Sequence, residues 1–289
     1  MVQLASLAYT VLGVSDFPAW EDYATRILGF QVGRKSADSM ALRMDEKPCR
    51  VLLERGAEDD LRAAGWQLAN PADHAALRQQ LESAGFATRD DPELARRRGV
   101  EQLFHCQDPL GYRHEFIVAP MHGVDAEVPF RSEVLHGSFV TGRLGMGHYV
   151  AACKDIDGAM RFAEAMGLRL SGYIRPTGST MTIAFYHARN GRYHSFATAA
   201  MPGGKILRHI GVELADFNDL GRAYDRALAA GLVDKTLGQH PNARTVSFYL
   251  KAPGGLGFEL FFGEIVCDDA SWVVESHQQT SAWGHKTVG

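Results

Sequence analysis

The chain repeats itself. Segment 7–30, LAYTVLGVSDFPAWEDYATRILGF, is matched by 147–168, GHYVAACKDIDGAMRFAEAMGL. Each begins as a strand-like apolar run, passes an Asp at a helix start (Asp16, Asp155), and continues as an amphipathic helix to a Gly followed by an apolar residue. Segment 66–85, WQLANPADHAALRQQLESAG, matches 212–231, VELADFNDLGRAYDRALAAG, without a gap. Last, FHCQDPLGYRHEFI (104–117) matches FYLKAPGGLGFELF (248–261), setting Pro109 against Pro253, Gly111 against Gly255 and Glu115 against Glu259. A Pro-x-Gly step between two apolar alternations reads as a tight hairpin turn. Three matches in one order with shared spacing mark a duplication.

Each half holds two strand–helix–strands units. The expected fold is therefore α+β: two modules, each a pair of βαβββ repeats forming a curved, barrel-like sheet around a cavity. At 289 residues the chain accommodates two such modules. The expected division is 1–135 and 136–289, with a linker near 121–143 that is rich in Gly and polar residues.

The two copies differ in chemistry. In the second, His148 (GMGHYVAAC), His209 (ILRHIGVEL) and Glu259 (GFELFFG) each sit in a strand pattern. The matching positions of the first read Ala8, Ala63 and Glu115. His148 and His209 occupy the first strands of consecutive units, and a sheet folded back on itself would bring those strands face to face. Two neutral imidazoles and one carboxylate form the facial triad of non-heme Fe(II) oxygenases, which leaves positions open for substrate and dioxygen. A Glu in the apolar run FELFFG also needs a partner, because a buried unpaired carboxylate is costly. Glu115 persists without His partners, for which backbone hydrogen bonds are the expected reason.

Composition narrows the remaining classes. Net charge is -4 with no basic run longer than the three arginines of LARRRG, which argues against a nucleic-acid partner. No apolar stretch reaches the length of a membrane span. The start, MVQLASLAYTVLGVSDF, lacks a signal-peptide pattern. Cys49, Cys106, Cys153 and Cys267 form no CxxC pair and read as buried thiols. These features predict a cytoplasmic protein.

These residues resemble a known family, the type I extradiol dioxygenases of the vicinal-oxygen-chelate superfamily, and among them those acting on bicyclic or larger catechols. The resemblance runs nearly end to end: LARRRGVEQLFHCQDPLG, TGRLGMGHYV, NGRYHSFATAAMP, ILRHIGVEL, LGQHPNARTVSFYLKAPGG and the tail WGHKTVG, all in order. It implies the vicinal-oxygen-chelate fold, with His148, His209 and Glu259 as Fe(II) ligands. It implies His194 as the active-site acid/base, and His240 and Tyr249 as hydrogen-bonding groups beside the metal. The counterpart of Tyr249 in the first half is His105, so the tyrosine is not a mere feature of the fold. The implied substrates are a small aromatic diol and O2, cleaved beside the diol to a yellow hydroxy-oxo-dienoate. Family precedent implies a homo-oligomer. Mn(II) members exist, and ligand identity does not separate the two metals.

There are departures. The family commonly has Asn-Asp after the loop histidine, whereas this chain reads Pro241, Asn242, Ala243, Arg244. Segment 169–185, expected to border the substrate mouth, is short. His187 is expected to be structural or part of a pocket wall, and His285 to be structural. Two rival readings are a metal-dependent non-oxygenase of the same superfamily and an aromatic-ligand binding protein without turnover. The first usually splits its ligands between modules and the second lacks the metal trio, whereas here all three candidate ligands lie in one half.

Overall fold

A computed structural model describes residues 1–118, 128–201 and 204–289. The first half runs β1 (Ser6–Val14), α1 (Phe17–Asp22), β2 (Gln31–Lys35), β3 (Ser39–Arg43), β4 (Val51–Arg55), then β5 (Asp60–Gln67), α2 (Pro71–Ser83), β6 (Thr88–Asp90), α3 (Pro92–Arg98), β7 (Gln102–Gln107) and β8 (Arg113–Val118). The second runs β9 (His148–Cys153), α4 (Ile156–Ala165), β10 (Arg169–Ile174), β11 (Ile183–His187), β12 (Phe196–Ala200), then β13 (Leu207–Glu213), α5 (Phe217–Ala229), β14 (Val233–Gln239), β15 (Val246–Lys251) and β16 (Gly257–Phe262). The tail adds β17 (Glu275–His277) and β18 (Trp283–Gly284). Of the expected linker, residues 121–127 lie outside the described residues.

This is the expected α+β arrangement of four βαβββ units. In every unit the first strand pairs in parallel with the last: β1 with β4, β5 with β8, β9 with β12, β13 with β16. The two units of a module join through their first strands, antiparallel, β1 to β5 and β9 to β13. The sheets read β2-β3-β4-β1-β5-β8-β7-β6 and β17-β10-β11-β12-β9-β13-β16-β15-β14-β18. The tail strands extend the second sheet at both ends.

The helices start where the sequence places their caps. The Asp16 carboxylate accepts from the Ala19 N–H and Asp155 from Gly158, filling donors that the first turn leaves open. Helix α1 passes into a π-helical turn, Tyr23–Leu28, and stops at Gly29, whose φ of 86° favours glycine. The matching α4 has no such turn. The π turn houses a residue that the second copy lacks.

A second extra residue explains a correction. Ala8 is bulged: β1 pairs Leu7 with Trp66 and then Tyr9 with Gly65. In the second module His148 faces Gly211. Tyr9, not Ala8, is therefore the structural counterpart of His148. His148 and His209 are also not brought face to face by a folded sheet. They rise from adjacent antiparallel strands, with His209 opposite Val150.

Each sheet has two apolar faces. One face of both sheets packs, with the helices, into a single core joining the modules, including Trp20, Trp66, Tyr149, Phe162 and Phe258. Tyr149 carries this across the duplication, meeting the Tyr112 hydroxyl at 3.0 Å. The opposite faces hold two separate clusters, one around Tyr9, Ala63 and Leu94, the other around Val150, Phe185 and Ala243. Strand alternation puts Tyr149 on the shared core and its neighbours His148 and Val150 on the other face. The four cysteines are buried and unpaired, as expected.

Candidate metal centre and active site

One rung of the second sheet carries the site. His148 on β9 faces Gly211 on β13, and Gly211 faces Glu259 on β16. The central glycine is obligatory, because a Cβ there would lie 2.1 Å from the His148 ring. With that position empty, the imidazole reaches over it to Glu259. The His148 Nε2 atom lies 3.1 Å from Glu259 Oε2 and 3.4 Å from His209 Nε2. His209 Nε2 lies 3.4 Å from the same oxygen. Three donors at this spacing can share one ion held about 2.1 Å from each.

Their protonation suits a cation. Burial holds the His148 imidazole down to about 3, helped by His194 beside it, so it stays neutral with a lone pair available. Burial also lowers His209. Burial alone would raise Glu259, but the imidazoles of His148, His209 and His240 outweigh it and hold the carboxyl well below its usual range. An anionic carboxylate with two neutral imidazoles is a donor set that fits a divalent transition metal.

His194, His240 and Tyr249 gather round these donors. The His194 ring stacks on His148 at 3.8 Å between centroids, and Phe261 covers the other face at 5.2 Å. His240 Nδ1 lies 2.6 Å from the Thr280 carbonyl, and its Nε2 lies 2.8 Å from the Tyr249 hydroxyl and 3.2 Å from Glu259 Oε1. Burial opposes charge on His240, but Glu259 raises its proton affinity by more. Burial and Glu259 both push the Tyr249 phenol up, so it keeps its proton.

A buried network missed by sequence reasoning holds His194. Glu264 Oε1 lies 3.0 Å from His194 Nδ1, and Arg192 Nη1 binds Glu264 Oε2 at 2.6 Å and Glu213 Oε2 at 2.8 Å. Burial would raise Glu264, but Arg192 and then His194 pull it below its ordinary value. His148, His194 and Glu264 form a second grouping of possible ligand atoms. Arg192 already supplies that carboxylate with a cation, so it reads as an ion-pair network rather than a second metal site. The sequence held no signal for it, since Arg192 stands in the polar run HARNGRYHS, where a guanidinium is ordinary.

The donors open into a cavity of about 480 Å³. Its apolar wall includes Ile174, Met181, Ile183 and Phe185, so segment 169–185 does border it. Ala243 is buried and also lines it, presenting a methyl group where a carboxylate was the expected residue. His285 departs from expectation: it lines the cavity and packs against His240 at 4.3 Å. His187 is structural, held by Ser171 and Asp269.

Comparison with known proteins agrees with this architecture. Residues 7–56 match the family model "Dihydroxybiphenyl dioxygenase BphC D1", and residues 145–260 match "Glyoxalase/Bleomycin resistance protein/Dioxygenase superfamily". The chain is 36% identical to a biphenyl-2,3-diol 1,2-dioxygenase of Metapseudomonas furukawaii, over 99% of this chain and 95% of that protein. It is 32% identical to an iron-dependent extradiol dioxygenase of Rhodococcus jostii, over 98% and 97%. The crystal structure of BphC, a halotolerant catechol dioxygenase, superposes with a TM-score of 0.92 at 32% identity, covering 100% of this chain and 96% of that one. With identity sustained over both modules, the chain belongs to the extradiol ring-cleaving dioxygenases of the vicinal-oxygen-chelate superfamily and is an enzyme of that class.

Proposed function

We propose that this enzyme uses Fe(II), held by His148, His209 and Glu259, to cleave a bicyclic or larger aromatic diol with O2 beside its hydroxyls. The observation that carries this reading is the trio of donor atoms 3.1–3.4 Å apart, beside a cavity with one apolar wall. The site fits Fe(II) and also Mn(II), because neutral nitrogens and one carboxylate suit both. We assign this site to a catalytic module, 136–289, and no metal to the first, 1–135.

When bound, the metal supplies a Lewis acid that eases deprotonation of a diol oxygen and an electron path to dioxygen. The protein supplies the rest. The Glu264 carboxylate, with Oε1 3.0 Å from His194 Nδ1, sets negative charge on that side of the ring, where it favours a proton on Nδ1, and Nε2 is left to take a diol proton and return it. The stacked His148 and edge-on Phe185 keep that ring from turning. His240 Nδ1–H donates to the Thr280 carbonyl, aiming Nε2 at Tyr249 and the donors. His240 and Tyr249 place hydrogen bonds where oxygen develops charge. The apolar wall excludes water and packs a second ring. No helix among the described residues is long and apolar enough to cross a membrane, and we place the enzyme in the cytoplasm as a homo-oligomer.

The deciding experiment is O2 consumption by anaerobically Fe(II)-loaded protein given 2,3-dihydroxybiphenyl, with absorbance scanned for a yellow product. One O2 per diol with yellow colour is expected. Bound iron without uptake would refute this substrate class, and absence of bound iron would refute the ligand assignment.

A further inference from the structure

The rung that carries the donors continues past Glu259. Tyr249 faces Glu259, and Lys235 on β14 faces Tyr249. Cross-strand partners share a face, so all three side chains rise toward the cavity. The Lys235 ammonium sits 4.9 Å from the Tyr249 ring centroid, and the residue lines the cavity with His209, His240 and Glu259.

Lys235 is half-buried, and no carboxylate oxygen among the described residues comes within 4.0 Å of its ammonium. That includes Asp234, which neighbours it in the chain and on the cavity wall. Arg208, the other cation on the wall, is already engaged. A cation drawn partly out of water without a counter-ion is unfavourable, and one aromatic face compensates only in part. The first module shows what this rung does elsewhere: Arg89 faces His105 there, but Arg89 is exposed to solvent. A basic residue is thus a repeated feature of the rung, and only the second copy points it into a cavity.

Resting on the dioxygenase reading, we propose that Lys235 determines specificity, and that the preferred substrates are aromatic diols carrying a carboxylate. The apolar wall takes the carbon frame of such a diol, the donors take its two hydroxyls, and Lys235 supplies the missing counter-charge.

The test uses a matched pair, 3-(2,3-dihydroxyphenyl)propionate and its neutral methyl ester. kcat/KM is measured by O2 uptake for the iron-loaded wild type, Lys235→Met and Lys235→Arg, at low and high salt. The wild type is expected to prefer the acid. In Lys235→Met the acid-to-ester ratio should fall between about tenfold and a hundredfold, the range of one hydrogen bond to a charged group. Lys235→Arg should restore much of the ratio, and salt should erode it. An equal ratio in wild type and Lys235→Met overturns the proposal. So does turnover of 2,3-dihydroxybiphenyl alone, which leaves the dioxygenase reading standing. Failure of all three diols removes that reading and this one with it.

Discussion

In the first module the rung Tyr9–Gly65–Glu115 closes around an arginine, whereas in the second the same rung, His148–Gly211–Glu259, opens onto a cavity. Both keep the central glycine for the same reason, since a Cβ on Gly65 would lie 2.3 Å from the Tyr9 ring. Both keep the buried carboxylate. What differs is the cation that satisfies it. Arg98 binds both Glu115 oxygens at 2.8 and 2.9 Å, Arg113 adds a contact at 2.6 Å, and the Tyr9 hydroxyl donates at 2.5 Å. Side chains, rather than the expected backbone groups, hold this carboxylate. Helix α3 delivers Arg98, together with Leu94 and Ala95, into the face that the loop 240–245 leaves open in the second module. A carboxylate built into a duplicated sheet thus has two stable settings, one held by a guanidinium and one ready for a metal.

The sharpest way to break this comparison is to remove one ligand from the second module. His209→Ala should lose iron after anaerobic loading and lose O2 uptake altogether. Retention of full iron and activity would refute the trio. Glu115→Ala in the first module should leave the iron content of folded protein unchanged. It should instead cost about 3 kcal/mol of stability by urea unfolding, since Arg98 is left buried with only Glu54, 3.3 Å away, as counter-charge. Loss of iron from that variant at permissive temperature would mean that the first module supports the metal directly.

His194→Phe tests a smaller step. It should retain iron and lower turnover by roughly 10²–10⁴-fold, the range for a positioned acid/base. Iron loss would move His194 into the ligand set. Glu264→Gln keeps the shape of the carboxylate but not its charge, so it should lower kcat in the same direction by less and leave KM for the diol near the wild-type value. A matching rise in KM with unchanged kcat would assign Glu264 to substrate binding instead.

Much of this contrast was legible in the sequence because duplication supplies its own control. Glu259 and Glu115 align without a gap, and His209 against Ala63 shows the lost ligand. The bulge at Ala8 was not legible, since a single extra residue in a strand leaves the apolar pattern of LAYTVL intact while shifting every later partner. Tyr9 was thereby hidden as the counterpart of His148. Arg98 was hidden differently: it lies in α3, a helix with no match in the second copy, so alignment could not show that it fills the metal's place. Glu264 and His285 escaped because both lie outside the repeated segments, where no spacing ties them to His194 or His240.

The smallest expected effect is in acid, and it probes the arginine-held carboxylate alone. Burial would raise Glu115, but Arg98 and Arg113 outweigh it and hold the group down to about 2. An unfolded Glu titrates near about 4.3. The folded value is therefore the lower one. The contribution of this group is complete above about pH 4.3 and is lost as pH falls toward about 2, with a ceiling of about 3 kcal/mol. The comparison is the wild type against Arg98→Met/Glu115→Gln, which removes charge from both partners and leaves neither stranded. Glu259 and the other carboxylates that do not touch Arg98 cancel in the difference, and Glu54, which pairs with Arg98 at 3.3 Å, is removed by making the comparison in a Glu54→Gln background. Between pH 6 and pH 3, urea unfolding should show the wild type losing about 2 kcal/mol more than the double variant. Parallel losses would mean that Glu115 is not held as an anion by Arg98. The first module would then differ from the second in more than the cation that fills it.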